Sequence, residues 1–342
     1  MHLGTICASV LGSFAPEEFR HHWNFGTPFY IYDGPHVTAM NRVGNCAKYM
    51  SEVANADDEL MKAMRVHPAR TRNPARAILY VIPITVYKSW LCDNEKHLSR
   101  LDKALTEVTS SRWFRDRAGS NHLIGTHDWK FSAWSKVHSA LIPDKWWRAL
   151  QAVTGTRFEY YSMSKWENSF KIHPRKPHTL TSAMWEQTKS SIVTPMATAL
   201  PVPKPVPSVQ DFMGRKYLVW YHTRSRGSAH GATALRQNPD VFKWPNSSVG
   251  YAASRHAWLS GWEDSRFCLV IRGDTPGSHA FCHAVSSGCI PVIVSDLFEQ
   301  VALPFRKHIM LETFSIVIPE DTWLKRPRSV YNQLANLSEG TI

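Results

Sequence analysis

Residues 267–296, F-C-L-V-I-R-G-D-T-P-G-S-H-A-F-C-H-A-V-S-S-G-C-I-P-V-I-V-S-D, constrain the fold more than any other stretch of the chain. Residues 267–271 form an unbroken apolar run, the pattern of a strand buried on both faces of a parallel sheet. Arg272 to Gly277 is a polar, glycine-containing break. Ser278 is a residue type that caps helices, the spacing predicts a helix over 279–287, and Gly288 is placed to end it. Residues 290–294 read as a second buried strand, opened by Pro291 and closed by Ser295-Asp296. The result is a βαβ unit. Its first turn combines glycine, arginine and a helix N-terminus, so free backbone N–H groups and the helix dipole converge where a phosphate can sit.

The rest of the chain repeats this alternation. Strands are predicted over 28–33, ending in the Gly34-Pro35 turn, over 77–82 and over 191–195. Helical spacing covers 52–66 and 90–107. Residues 197–210, A-T-A-L-P-V-P-K-P-V-P-S-V-Q, carry too many prolines for a helix. Their core, 201–210, is read as a linker between a first domain, 1–200, and a second, 211–342. In the second domain a strand over 217–221 leads into a loop with Arg224, Arg226 and Gly227. Helices are expected over 229–237 and 248–261, a last strand over 315–318, and a final helix over 320–337 that is free to pack back across the first domain. Two βα domains of this kind are an α/β architecture with a ligand cleft between them.

The formal charge of +12 over 342 residues suits an anionic partner or a basic, unspecialised surface. No basic run is interleaved with aromatics as a nucleic-acid groove requires, so nucleic acid is not an expected partner. The 14 tryptophans include candidates for sugar platforms, although most are expected in the core. No stretch reaches the roughly 20 apolar residues that span a bilayer, and residues 6–14 make a poor signal peptide. The six cysteines show no metal-ligand spacing. Cys268 and Cys289 lie in strands that could be neighbours; two buried thiols are the expected state and a disulfide the alternative. Asn246-Ser247-Ser248 and Asn336-Leu337-Ser338 are glycosylation sequons compatible with the secretory route.

Phe267, Cys268, Leu269, Arg272, Gly273 and Asp274, followed by a helix and then Cys289, Ile290, Pro291 and Val292, closely resemble the C-terminal signature of the exostosin-like glycosyltransferases, family 47 of the nucleotide-sugar transferases. Further elements resemble the same family. They are the aromatic strand ending at Asp33, the R-T-x-N-P segment at residues 70–83, and the set Trp113, Arg115, Gly119, Asn121, His122, Leu123, His127, Asp128 and Trp129. The resemblance covers about residues 27–325. It implies a GT-B fold, two Rossmann-like βα domains facing a central cleft. It also implies an inverting transfer from a UDP-sugar to a polysaccharide or glycoprotein glycan, and location in the Golgi. Family members usually carry an N-terminal membrane anchor. This chain starts almost directly at the matching region, so an anchor is missing from this sequence or never existed. A homo- or heterodimer with a related transferase is a further expectation.

Such an enzyme must hold a diphosphate, stabilise it as a leaving group and deprotonate an acceptor hydroxyl. No Asp-x-Asp metal motif occurs in the chain. Basic side chains and a helix N-terminus are therefore expected to do the neutralising, with no metal and no cofactor beyond the UDP-sugar co-substrate. Donor-binding candidates are Arg224, Arg226, Arg272, Gly277, Ser278 and His283. Arg272 is also placed to form a structural salt bridge, for instance to Asp274. Asp128 is the candidate base, with Asp33 as a competitor and a turn-capping role as the alternative. His122 and His127 are acceptor-binding candidates, against the plainer role of satisfied core histidines. Two departures stand out. The family places an Arg and, further along the signature helix, an acidic residue where this chain has Ala280 and His283. His283 can still bond a ribose hydroxyl; Ala280 cannot replace an Arg. These departures make a non-catalytic, glycan-binding or partner homologue the competing reading.

Overall fold

The computed structural model describes residues 27–41, 61–62, 64–117, 119, 121–126, 157–159, 191–193, 207–223, 235, 238–251, 254–272, 276–304, 306 and 309–337. The chain divides into two compact units, Met1–Trp166 with Leu180–Ala197, and Glu167–Thr179 with Thr198–Ile342. Each has its own five-stranded sheet, and all described strand pairs are parallel.

The first unit runs β1 (Phe29–Ile31), α1 (Pro35–Asn41), β2 (Leu79–Ile82), α2 (Val86–Cys92), α3 (Asn94–Ser110), α4 (Arg112–Arg115), β3 (His122–Thr126), β4 (Arg157–Glu159) and β5 (Ser191–Val193), with the strands in sequential order. The two-residue period of the strands sorts their side chains. Tyr32, Tyr80 and Ile82 pack with Val37 and Met40 of α1 and with the Leu101, Ala104, Leu105 and Val108 stripe of α3. Phe29, Ile31, Val81 and Leu123 pack in a second cluster with Met61. The single helix expected over 90–107 is two helices. Asp93 leaves the helical region, with φ −158° and ψ 75°, which ends α2 before α3 begins. The Arg100 guanidinium secures the break by donating to the Asp93 carboxylate at 2.6 Å and to the Asp93 carbonyl at 2.8 Å.

The second unit runs α5 (Val209–Met213), β6 (Tyr217–Thr223), β7 (Ser248–Tyr251), α6 (Arg255–Glu263), β8 (Ser265–Ile271), α7 (His279–Ser286), β9 (Ile290–Val294), α8 (Phe298–Val301), β10 (Ile316–Val317), α9 (Glu320–Lys325) and α10 (Pro327–Ala335). Its sheet order is β7-β6-β8-β9-β10. Three expectations need correction. Residues 248–251 are a strand rather than a helix, because they pair in parallel with Trp220 to Thr223 of β6 and close that edge of the sheet. The 320–337 segment is two helices, and Trp323, Val330 and Leu334 join the cluster of Leu218, Val219, Phe267 and Val292. Its apolar stripe is thus spent on the second unit's own sheet. Helix α5 also starts inside the expected linker, capped by the Ser208 hydroxyl, which accepts from the Asp211 N–H at 3.1 Å; residues 201–206 lie outside the described residues.

The βαβ unit of β8, α7 and β9 is secured at the C-terminal end of its helix. Arg215 donates to the carbonyls of Ser265 at 2.7 Å, Gly288 at 2.9 Å and Ser287 at 3.1 Å. Gly288 takes φ +64°, the left-handed turn that ends the helix. Cys268 and Cys289 are disulfide-bonded, Cα to Cα 5.9 Å, which corrects the expectation of two buried thiols. The register explains it. Cys268 lies opposite Pro291, so Cys289 falls two residues back on the same face of the neighbouring strand. Cys92 is also disulfide-bonded. Both sequon asparagines, Asn246 and Asn336, are exposed. Among the described residues, no helix is long and apolar enough to cross a membrane.

Candidate functional site

In sheets of parallel strands, ligands bind outside the carboxyl ends, at the point where strand order reverses. Counted from β6, the second unit has the order 2-1-3-4-5, which reverses between β6 and β8. The described strands of the first unit follow one another without a reversal. The fold therefore directs attention to the residues that follow β6 and β8. Arg224 and Arg226, after β6, lie outside the described residues. After β8 come Arg272, then Pro276 and Gly277, both buried, and Ser278, the N-cap of α7. The Ser278 hydroxyl accepts from the Ala280 N–H at 3.3 Å. The first turn of α7 carries no acidic residue.

Arg272 is almost fully buried, 1% exposed, and forks onto Glu320 at the start of α9. Its Nε donates to Glu320 Oε1 at 2.6 Å and one terminal nitrogen to Oε2 at 2.8 Å. Glu320 Oε1 also accepts the Asp296 N–H at 3.2 Å, and Asp296 Oδ1 accepts the Glu320 N–H at 2.9 Å. Burial pushes the Asp296 carboxyl above its ordinary range. The salt-bridge alternative for Arg272 is thus realised, with Glu320 as its partner. The sequence reading missed Glu320 because 48 residues separate the two.

His283 is a residue of α7 and is 1% exposed. Its ring meets Trp258 edge-on at 4.7 Å and Trp262 at 5.5 Å. On the sheet, Trp220 and His222 stack at 4.0 Å. The His222 Nε2 is 2.9 Å from the Ser248 hydroxyl, and the Trp258 indole donates to the His222 carbonyl. Helix α6 approaches so closely that a Cβ on Gly261 would fall 2.2 Å from Trp220. His283 is therefore part of an aromatic wall beneath α7, not a side chain open to a ribose. Only Ala280, half-buried, stands at the other departure.

In the first unit, His122 is fully buried and its hydrogen bonds can be assigned in direction. The Asn121 amide nitrogen donates to the Ile78 carbonyl at 2.9 Å, so its oxygen is left as acceptor for His122 Nδ1 at 3.2 Å. Burial drives the His122 pKa down to about 4, so the ring is neutral and Nε2 is an acceptor. The Tyr32 hydroxyl, kept protonated by burial that raises its pKa to about 12, donates to that nitrogen at 2.8 Å. Ser111 then donates to Tyr32 at 2.9 Å while accepting the Phe114 N–H. The ring is stacked on Tyr80 at 5.0 Å and on Tyr32 at 5.6 Å. His122 is a satisfied core histidine, which corrects the acceptor-binding expectation. His127 and Asp128 follow β3 but lie outside the described residues.

Two carboxylates mark the end of β1. Asp33 is exposed and accepts the Tyr30 hydroxyl at 2.5 Å. Burial, followed by the Asp33 bond, pushes the Tyr30 pKa upward, so this hydroxyl remains a donor. Glu107 reaches from α3 to accept the N–H groups of His36 at 2.9 Å and Val37 at 3.0 Å. It fills the start of α1 so completely that a Cβ on Gly34 would lie within bonding range of its oxygen. The anion position of the first βα turn is thus occupied by the protein's own carboxylate. Nothing in the local sequence signals this contact across 70 residues.

Comparison with known proteins matches the Exostosin GT47 domain to residues 25–334. Over 64 residues the chain is 41% identical to the exostosin-1 homolog of Caenorhabditis elegans, covering 19% of this chain and 16% of that protein. Over 72 residues it is 38% identical to the probable arabinosyltransferase ARAD1 of Arabidopsis thaliana, covering 21% and 15%. Over 80 residues it is 29% identical to exostosin-2 of Mus musculus, covering 23% and 10%. The matched segments span only a small part of these relatives' length. The family match, by contrast, takes in both sheets and the β8, α7, β9 unit, and by it the chain belongs to the exostosin family 47 of glycosyltransferases.

Proposed function

We propose that this chain is an inverting, metal-independent glycosyltransferase that moves a sugar from a UDP-sugar to a polysaccharide or glycoprotein glycan in the Golgi lumen. The observation that carries the reading is the second unit's sheet, whose reversal point adjoins a capped helix N-terminus without an acidic first turn. The equivalent position in the first unit is taken by Glu107. The donor's diphosphate accordingly belongs to the second unit, with Arg224, Arg226 and the N–H groups around Gly277 and Ser278 as its ligands. Arg272 supports this turn through Glu320 and is the remaining candidate contact.

In the reaction, Asp128 takes the proton of an acceptor hydroxyl, with Asp33 as the competing base and His127 beside the acceptor. The oxygen attacks the anomeric carbon as the bond to UDP breaks, and the negative diphosphate leaves against the arginines and the helix dipole. The chemistry needs no cofactor, and the missing Asp-x-Asp motif supports cation-free neutralisation. The Cys268–Cys289 disulfide and the exposed sequon asparagines support folding in the secretory route, where disulfides persist. Association with itself or a related transferase is part of the same proposal.

A second reading, a non-catalytic homologue that binds glycan or partners an active transferase, is favoured by Ala280 and by the burial of His283 behind Trp258 and Trp262. A UDP-release assay across UDP-sugars and glycan acceptors, run in EDTA, separates the two. Turnover that is abolished by Asp128→Asn supports the enzyme. UDP binding without turnover on any donor supports the non-catalytic homologue.

A further inference from the structure

One carboxylate at the carboxyl edge of the second unit's sheet has no part in the mechanism above. Asp296 follows β9 directly. Its Oδ1 accepts the Glu320 N–H while its own N–H donates to Glu320 Oε1, a reciprocal pair that fixes both backbone and carboxylate. Glu320 is in turn held by Arg272. Oδ2 takes no part in these bonds. The group is half-buried, and that burial, with the neighbouring carboxylates of Glu320 and Asp321, raises its pKa.

Beside it, Ser295 is 2% exposed and its hydroxyl has no hydrogen-bond partner. In the alternation of β9, Val292 and Val294 face the cluster of Trp323 and Val330. Ser295 shares the opposite face with Ile293 and lies opposite Arg272 in the register of β8 and β9. That is the face covered by α7, next to the turn from which α7 starts. A buried hydroxyl left without a partner is costly in a closed structure, and a bound group that accepts or donates there removes the cost.

The spacing agrees. In βαβ units that bind nucleotides, the diphosphate rests on the helix N-terminus, and an acidic residue about 20 positions further on takes the ribose hydroxyls. Asp296 stands at that distance from Gly277, at the end of the second strand of the unit. We infer that Asp296, with Ser295 beside it, binds the ribose hydroxyls of a nucleoside diphosphate whose phosphates lie at the N-terminus of α7. Asp296 thereby takes the task that position 283 has given up to the aromatic wall. The inference rests on the reading of the second unit as the donor-binding unit.

The test is calorimetric titration of the full chain with UDP and with 2′,3′-dideoxy-UDP. The wild type binds UDP more tightly, by about tenfold or more, as a charged hydrogen bond implies. Asp296→Asn keeps the oxygen that accepts from Glu320 and replaces the other with an amide, so the fold stands, as an unchanged melting curve verifies. UDP affinity falls about tenfold in this variant, while the dideoxy compound binds as before. Ser295→Ala, which removes no hydrogen bond of the fold, weakens UDP severalfold. The inference is overturned if the wild type binds the two compounds equally, or if Asp296→Asn discriminates between them as well as the wild type. A wild type that binds neither compound overturns the donor-site reading itself, and this inference with it.

Discussion

Removing Glu320 should reveal how much of the turn after β8 depends on the buried clamp. Its carboxylate accepts three hydrogen bonds, two from Arg272 and one from the Asp296 N–H. The side chains of Arg272 and Glu320 are 1% and 8% exposed, so solvent screening is slight. Glu320→Leu takes both carboxylate bonds from a buried guanidinium, at about 3–5 kcal/mol. It also strands the Asp296 N–H, at ~1 kcal/mol. Arg272→Met strands the carboxylate at a similar cost of ~3–5 kcal/mol. The double variant carries no buried charge and should lose only ~1–2 kcal/mol, chiefly the Asp296 bond. A double-mutant cycle in urea, followed by circular dichroism, should therefore give a coupling of several kcal/mol, far outside the ~0.5 kcal/mol within which independent sites add. Additive single effects, or a Glu320→Leu variant as stable as the wild type, would refute the reasoning.

Other outcomes follow from the same structure. Because the folded His122 pKa is about 4 and the unfolded value near 6.5, the unfolded chain binds the extra proton first. Stability is complete above pH 6.5 and falls as the pH drops toward 4, by at most ~3 kcal/mol, and His122→Gln should flatten that slope in melts across pH. Replacing Cys268 and Cys289 together by alanine opens a loop of about twenty residues and should cost ~3 kcal/mol in urea titrations under oxidising conditions, with no change under reductant. His283→Glu puts a carboxylate between Trp258 and Trp262. It should lower stability by ~3 kcal/mol or more and leave UDP affinity no higher, so a stable variant with tighter UDP binding would contradict the burial argument.

The parts of this fold that are local in sequence were legible in it. The β8, α7, β9 unit declares itself because strands buried on both faces read as apolar runs, and because Ser278 and Gly288 punctuate the helix between them. Four residues at 248–251 carry too little periodicity for so short a strand to outweigh the helix beside it. What decides them is the open edge of β6. The break at Asp93 was hidden by helical spacing on both sides. Long-range pairings were out of reach for a different reason. Glu320 for Arg272, Glu107 for the start of α1, and Cys289 for Cys268 depend on register and on which strands are neighbours. His122 and His283 show the limit on site residues: a histidine in a matching motif reads the same whether it meets a ligand or two aromatic rings. Asp128, His127, Arg224 and Arg226 lie outside the described residues.

The proposed function requires that this family member keep a working nucleotide site in its second unit despite Ala280 and His283. Titrating UDP into the full chain, in EDTA and at two salt concentrations, tests it most directly. Saturable binding that survives chelation and weakens as salt rises is expected, because arginines and a helix dipole are proposed to do the neutralising. Absence of binding at millimolar UDP, or binding that requires added manganese, would contradict it.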